Sequence, residues 1–305
     1  MARLYHEEGL TQHEIATQLR CSQGAVCRFL QRAVDQGIVR TAVIPPAGTF
    51  VDLEELLEQK FGLGQAVIAR AAHDSEENVQ HAVGTAAAHF LETILRPREV
   101  IGVDAGSATL RSMVQQMRPV WKVADCEVIQ VLGGTGDVAA ANDACCLLRQ
   151  LATLVQGKAR LLPAPAVMAS PQAANLLAED PHLGETMAQF ERITVALVGV
   201  GTAEASAWCA GGGGLLSTEA VQTLQARGAV GHVCLRYYDR HGQELKDLPG
   251  AAVFGLEAAR LKRVPRVVGI AGGKRKHQAL LGALRGRWVN VLVTDQFSAE
   301  ALLRA

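Results

Sequence analysis

The sequence predicts an α/β protein in which a small all-α head precedes a doubly wound, mostly parallel, Rossmann-like sheet domain. Two short helical patterns joined by a tight turn occupy residues 11–36. Beyond residue 60, continuous apolar runs alternate with helical segments, which is typical of parallel strands buried on both faces. Hydrophobic residues make up 49% of the chain and aromatics only 4%, a balance that favours sheets covered by helices over an all-β fold.

Composition also bounds the class of protein. The 305 residues are enough for a small domain and a larger one with a substantial core. Thirty basic residues balance thirty acidic ones, so the net charge indicates neither a nucleic-acid nor a membrane partner. No apolar segment approaches eighteen residues and no secretion signal opens the chain, so we expect a soluble, cytoplasmic protein. The seven cysteines include no C-x-x-C pair, which disfavours a disulfide framework or a zinc site, and we expect no cofactor or metal.

The head is predicted to contain three helices. Residues 1–9 form a leading helix that ends at a glycine. Thr11 and Glu14 have the spacing of a capping box at the start of the next helix. Ser22 can cap the last helix, and Gly37 can end it. The last two helices have the lengths and tight turn of a helix-turn-helix.

In a helix-turn-helix the second helix enters the DNA major groove. Arg28 can pair with guanine and Gln23 with adenine, whereas Arg32 is better placed for a backbone phosphate. A plain helical hairpin packed on a larger domain would show the same pattern. The residues predicted to contact DNA are Ser22, Gln23, Cys27, Arg28 and Arg32.

The charge of the head argues for several copies on DNA. Residues 1–44 hold five arginines and no lysine against four acidic residues, a net side-chain charge of +1. Affinity for DNA usually depends on neutralised phosphates, so a single head should bind weakly. We therefore expect a homodimer or homotetramer on a double-stranded DNA operator.

The predicted domains are a helix-turn-helix domain (1–44), a hinge and linker helix (45–60), and a larger domain (61–305), for which we expect ligand binding and oligomerisation. A Pro-Pro-Ala-Gly sequence at 45–48 breaks the chain. The amphipathic helix that follows from Val51 could join protomers or pack on its own domain.

The larger domain is predicted to alternate strands with helices, two of which begin at about Ala108 and Asp143. We predict strands at QAVIAR (65–70), VIGV (100–103), CEVIQVLGG (126–134), ARLLPAP (159–165), ITVALVGVG (193–201), AVGHVCLRYY (229–238), RVVGIAGG (266–273) and WVNVLV (288–293).

Ligands of such sheets bind beyond the carboxyl ends of the strands. Four glycine-containing turns qualify there, at 102–109, 130–136, 199–202 and 271–277. The first has two hydroxyls for an anion but lacks the third glycine of a dinucleotide fingerprint, and a structural turn explains it better. The second and third are equally compatible with tight packing. The last places three cations at the start of a helix, which opposes the helix macrodipole unless an anion binds there. A solvated basic turn is the alternative.

Both predicted domains carry a resemblance to a known family. Residues 2–39, ARLYHEEGLTQHEIATQLRCSQGAVCRFLQRAVDQGIV, resemble the N-terminal domain of SorC/DeoR-type sugar-binding transcriptional regulators. The segments IGVDAGSATL, VIQVLGG, LPAP, ALVGVGT, GAVGHVCLRYYDRHG and PRVVGIAGGKRKHQALLGALRGRWVNVLVTD resemble successive landmarks of their effector domain. That domain is similar to sugar-phosphate isomerases and CoA transferases but serves as a sensor.

The resemblance implies that a phosphorylated sugar or polyol controls binding to an operator, more often as a repressor. Lys276 would hold the phosphate, and Asp104 could hydrogen-bond sugar hydroxyls or repel a phosphate. The implied effector-binding residues are Asp104, Ser107, Thr109, Gln130, Gly133 and Lys276. The chain departs from the family pattern at Gln23, Cys27, Asp104-Ala105, His232 and Gln296.

An enzyme is the competing hypothesis. A sugar-phosphate isomerase or lyase with an accessory head could use His232, Asp239 or Glu204 as acid and base. Lys276 could form a Schiff base with an open-chain sugar. The sequence contains neither a nucleophile elbow nor a metal-ligand cluster, and catalysis would leave the helix-turn-helix unexplained.

Overall fold

The computed structural model describes residues 1–39, 49–134, 138–204, 216–246, 248 and 250–305. The chain divides into two compact units, Met1–Thr49 and Phe50–Ala305. The hinge predicted at residues 45–48 lies outside the described residues.

The first unit contains the three predicted helices, α1 (Ala2–His6), α2 (Gln12–Gln18) and α3 (Gln23–Asp35). The capping box is formed as predicted. The Thr11 hydroxyl accepts from the Glu14 amide at 3.3 Å, and the Glu14 carboxylate accepts from the Thr11 amide at 2.7 Å. Ile15 of α2 and Val26 of α3 are fully buried between the helices, so this unit has its own small core.

The second unit is built on parallel strands. In chain order, its strands are β1 (Gln65–Ala69), β2 (Val100–Val103), β3 (Glu127–Gln130), β4 (Lys158–Arg160), β5 (Val167–Met168), β6 (Val195–Val198), β7 (Gly201–Thr202), β8 (Ala229–Val233), β9 (Arg236–Asp239), β10 (Ala252–Val253), β11 (Arg266–Ile270) and β12 (Val291–Asp295).

Seven of these strands form one parallel sheet in the order β1-β12-β11-β6-β2-β3-β4. The chain runs outward from β2 through β3 to β4, and then returns to place β6 on the other side of β2. The order therefore reverses between β2 and β6, which is the point where such sheets open a crevice for ligands. The predicted mostly parallel α/β architecture is confirmed.

Helices cover both faces of this sheet. α5, α6 and α7 pack with Ile101, Val195 and Val293, whereas α4, α12 and α13 pack with Val100, Ala196 and Leu292. Neighbouring residues of one strand thus enter different cores, which explains the continuous apolar runs. The helices are α4 (Val51–Phe61), α5 (Glu76–Ile94), α6 (Ala108–Gln116), α7 (Val138–Leu154), α8 (Pro171–Ala178), α9 (Pro181–Ala188), α10 (Thr218–Ala226), α11 (Ala258–Leu261), α12 (His277–Arg285) and α13 (Gln296–Arg304).

The prediction of one strand over residues 229–238 is wrong. β8 and β9 form an antiparallel hairpin, which pairs with β7 in a separate three-stranded sheet. Its two-residue turn places Cys234 and Leu235 at φ values of 49° and 58°. Such turns favour Asn and Gly, so the apolar Cys-Leu pair hid the turn in the sequence. The helix predicted from about Asp143 begins earlier, at Val138.

The helix α4 packs on its own unit rather than standing free. Its Leu57 is fully buried, and the carboxylates of Glu54 and Glu58 accept from the backbone amides of Ile68 and Ala66, each at 2.8 Å. These contacts fix α4 against β1. Of the two roles left open by the sequence, the structure therefore places α4 in the core of the second unit.

Replacing Leu57 by Ala should lower the free energy of unfolding by about 2–5 kcal/mol, because the change leaves a cavity under α4. The adjacent Leu56, which is 49% exposed, provides the matched control, and its Ala variant should change stability by less than about 0.5 kcal/mol. Thermal and denaturant unfolding of the full chain measure both. Equal effects of the two substitutions would contradict the packing of α4 described above.

Candidate functional site

A cavity of about 680 Å³ opens at the point where the strand order reverses. Loops at the carboxyl ends of β2, β6 and β11 line it, together with the β7-β8-β9 sheet and the start of α5. Parallel strands bring these segments to one edge, although they are far apart in sequence. The polar residues that line the cavity are Asp74, Glu76, Gln80, Asp104, Ser107, Thr109, Thr202, His232, Tyr237, Lys274, Arg275 and Lys276.

The loop after β11 is held by a buried carboxylate. Oδ2 of Asp295 accepts from the Gly273 amide at 2.9 Å and from the Ser298 hydroxyl at 2.6 Å. The Ser298 hydroxyl also lies 2.9 Å from the same Gly273 amide. Gly273 has a φ of +95°, a conformation that favours glycine. The loop that presents the three cations is therefore fixed in position.

The three cations of this loop have different surroundings. Arg275 forms ion pairs with Glu76 at 3.5 Å and Glu204 at 3.2 Å, so two carboxylates already neutralise it. Lys274 is exposed, whereas Lys276 is half-buried. Burial lowers the pKa of the Lys276 ammonium, with Glu76 acting in the opposite direction. Lys276 is thus a desolvated cation within the cavity, where an anion would stabilise its charge.

The loop after β2 presents a buried acid and two hydroxyl residues. Asp104 is buried, and its Oδ1 accepts from the Gly106 amide at 3.4 Å. Burial raises the pKa of Asp104 to about 6, although the backbone amides of Gly106 and Gly199 favour the charged form. Ser107 is the N-cap of α6, and Thr109 lies in its first turn. The structure brings Asp104, Ser107 and Thr109 to the same cavity as Lys276.

The hairpin supplies a neutral imidazole to the opposite wall. Burial and, to a smaller extent, the charge of Lys276 lower the pKa of His232 to about 4. The Nδ1 atom of His232 is buried without a hydrogen-bond partner among the described residues. The ring packs against Tyr237, with the two ring centroids 5.0 Å apart. As a neutral ring, His232 has one nitrogen that can donate a hydrogen bond and one that can accept a hydrogen bond from a ligand.

Two predicted effector residues lie away from this cavity. Oε1 of Gln130 accepts from the Leu162 amide at 3.2 Å, and its Nε2 donates to the Leu132 carbonyl at 2.8 Å. Gln130 therefore holds backbone segments together. A Cβ on Gly133 would overlap the Pro165 backbone, so this glycine permits close packing. Neither residue lines the cavity.

The residues suggested for acid-base catalysis are not brought together. His232 lines the cavity, but Glu204 does not. The Glu204 carboxylate instead forms an ion pair with Arg275. Asp239 accepts from the backbone amides of His241 and Gln243, each at 2.9 Å. Within the described residues, no group of His, Cys, Asp and Glu is arranged to hold a metal ion.

The five predicted DNA-contacting side chains are all exposed on the first unit. Ser22 also accepts from the Ala25 amide at 3.2 Å, so it caps α3 as predicted. Phe29 of α3 is 49% exposed, and the Arg32 guanidinium lies 5.7 Å from the centre of its ring. The outer face of α3 thus combines hydrogen-bonding groups and cations, which suits contact with DNA bases and phosphates.

Comparison with known proteins identifies the family of the second unit. A family model described as "Putative sugar-binding domain" matches residues 46–304. The chain belongs to this family. No described helix is both long and apolar enough to span a bilayer.

Full-length relatives extend the similarity to the head. The chain is 30% identical over 308 residues to the sorbitol operon regulator of Klebsiella pneumoniae, covering 100% of this chain and 96% of the relative. It is 29% identical over 302 residues to the deoxyribonucleoside regulator of Bacillus subtilis (strain 168), with coverage of 99% and 95%. The crystal structure of full-length SorC from K. pneumoniae superposes with a TM-score of 0.76 at 30% identity, covering 99% of this chain and 96% of SorC. The resemblance to SorC/DeoR-type regulators is confirmed.

Replacing Asp104 by Asn should change how stability depends on pH. The pKa of Asp104 is about 6 in the folded protein against an ordinary value of 3.8, so the folded state holds its proton over a range where the unfolded chain has lost it. Raising the pH through this range therefore costs stability. Two pKa units correspond to roughly 3 kcal/mol. The free energy of unfolding of the Asn variant minus that of the parent should rise by about that amount between about pH 4 and about pH 7.

Chemical denaturation across this pH range measures the difference. His232 titrates in both proteins and cancels from the comparison, because its lowered pKa gives both the same rise in stability with pH. A difference that stays constant with pH would show that Asp104 is not the buried titrating group.

Proposed function

We propose that this protein is a transcriptional regulator whose binding to a DNA operator is altered by a phosphorylated sugar or polyol. The observation that carries the proposal is the presence of a desolvated cation, Lys276, in a polar cavity of the unit that belongs to the sugar-binding family. Burial removes water from the Lys276 ammonium, and a phosphate would compensate by supplying a negative charge. The N-terminus of α6, with Ser107 and Thr109, would offer further donors for the ligand.

The first unit would be the output module. Gln23, Cys27 and Arg28 would reach base edges, and Ser22 and Arg32 would contact the DNA backbone. The relatives named as regulators of a sorbitol operon and of deoxyribonucleosides support repression of a carbohydrate or polyol operon. They are not named as enzymes, which favours a sensor over an isomerase or lyase. A cytoplasmic location follows from a role on chromosomal DNA.

The weak charge of the head supports an oligomer as the active form. With a net side-chain charge of +1 over residues 1–44, one head neutralises few phosphates. Two or four heads joined through the second unit would multiply the contacts on one operator. A ligand that favours one arrangement of the heads would then change how well they match the operator spacing.

The function is tested by measuring operator affinity in the presence of pentose, hexose and hexitol monophosphates. At least one should shift the affinity of the full chain about 5- to 150-fold, the usual range of allosteric coupling. Lys276→Ala should remove this response while leaving DNA binding without ligand unchanged. Lys274→Ala is the matched control, because that lysine is exposed in the same loop. An operator affinity that no ligand changes would refute the proposal, and equal losses in both variants would refute the role of Lys276.

Arg28 and Arg32 should respond differently to substitution by Ala. Loss of Arg28 should weaken operator binding by about 1–3 kcal/mol and relax sequence preference, since a base contact is lost. Loss of Arg32 should weaken binding to operator and random DNA alike. It should also reduce the slope of log affinity against log salt concentration by about one, as expected for one lost phosphate contact. Fluorescence anisotropy at several salt concentrations separates the two effects. Arg3, exposed on α1, provides the control arginine, and a loss there equal to that at Arg28 would argue against a recognition helix.

A further inference from the structure

The cavity holds a buried carboxylate for which the described residues provide no cationic partner. Asp104 is only 9% exposed and lines the cavity wall. Its side chain accepts from the backbone amides of Gly106 and Gly199, and no lysine or arginine in the described residues donates to it. An ionised carboxylate has about four acceptor sites, so roughly half of them remain open. Hydroxyl groups of a ligand in the cavity can donate to these remaining acceptor sites.

Asp104 and Lys276 lie in loops that follow different strands of the sheet. Asp104 follows β2, the loop that contains Lys276 follows β11, and β6 lies between these strands. Strands lie 4.7–4.9 Å apart in a sheet, so the two loops leave it about 10 Å apart. An extended six-carbon chain with a terminal phosphate has a comparable length. Because both residues line one cavity, a ligand of this length with its phosphate at Lys276 would extend toward Asp104.

Two glycines follow the strand that lies between these two ends. Gly199 and Gly201 follow β6 and line the cavity. A Cβ on Gly199 would lie 2.8 Å from the Ser107 hydroxyl, and one on Gly201 would overlap the His232 ring. The glycines thus let Ser107 and His232 approach from both sides. The buried Nδ1 of His232 also lacks a partner among the described residues.

We propose that Asp104 determines effector specificity by accepting hydrogen bonds from hydroxyl groups at the end of the ligand opposite the phosphate. The effector is then an open-chain or extended sugar or polyol monophosphate with free hydroxyls on its far carbons. This assignment rests on the function proposed above. Of the two roles of Asp104 that the sequence leaves open, we choose hydrogen bonding to hydroxyls, because the phosphate has a cationic partner in a different loop, at Lys276.

The test compares two ligands on the full chain and two variants. Hexitol monophosphate carries the far hydroxyls, and hexyl phosphate has the same length without them. Asp104→Asn keeps the shape of the side chain but removes its charge and one acceptor. Asp74→Asn is the matched control, because Asp74 lines the same cavity but is exposed. Isothermal titration calorimetry gives the affinities, and thermal unfolding checks that each variant is folded.

Asp104→Asn should weaken binding of hexitol monophosphate about tenfold or more, as expected for lost hydrogen bonds to a charged acceptor. It should leave hexyl phosphate unchanged or bound more tightly, and Asp74→Asn should change both affinities by no more than about twofold. If the Asn variant does not fold, Asp104→Ser replaces it in the same comparison. Stronger binding of both ligands by the variant would assign Asp104 to repulsion and overturn the proposal.

Equal losses of affinity for hexitol monophosphate in the Asp104 and Asp74 variants would also overturn it, since they would show that binding responds only to the net charge of the cavity. A parent protein that binds hexitol monophosphate, with an unaffected Asp104 variant, refutes this inference alone. A parent protein that binds none of the pentose, hexose and hexitol monophosphates refutes the proposed function, and this inference with it.

Discussion

The parallel direction of all seven strands in the main sheet is the constraint on which the site depends. Because the strands run the same way, the loops after β2, β6 and β11 emerge at one edge. Because the strand order reverses between β2 and β6, their helices diverge to either side and leave a crevice. Residues separated by more than 170 positions, such as Asp104 and Lys276, thereby share one cavity. The separate hairpin then forms another wall and supplies His232.

Much of this arrangement follows from local sequence patterns. The apolar runs of β2, β6 and β11 report burial on both faces, and the capping box at Thr11 fixes the start of α2. The predictions that failed depend on tertiary contacts. Two hydrophobic residues form the turn at 234–235, which nothing in the sequence marks as a break. The amide of Gln130 is directed to backbone groups rather than to the cavity, which its position at the end of a strand does not reveal.

The electrostatics of the cavity also depend on the fold. The sequence shows three adjacent cations, but only the structure separates Arg275, paired with two carboxylates, from the desolvated Lys276. It also gives the cavity a buried acid and a neutral imidazole, Asp104 and His232. Keeping these groups away from water costs free energy, and a ligand with complementary charges and hydrogen bonds lowers that cost. That free energy is available to shift a conformational equilibrium, which is what a sensor requires.

The most direct test of whether the loops after β2, β6 and β11 form one ligand site is hydrogen exchange. It is measured on the full chain with and without the sugar or polyol monophosphate that binds most tightly. We expect slower exchange of backbone amides in residues 104–109, 199–202 and 272–276 together. Amides around a second cavity, which is lined by Asn175, Arg236 and Glu257 among others, should be unaffected. Protection confined to that second cavity, or to only one of the three loops, would contradict it.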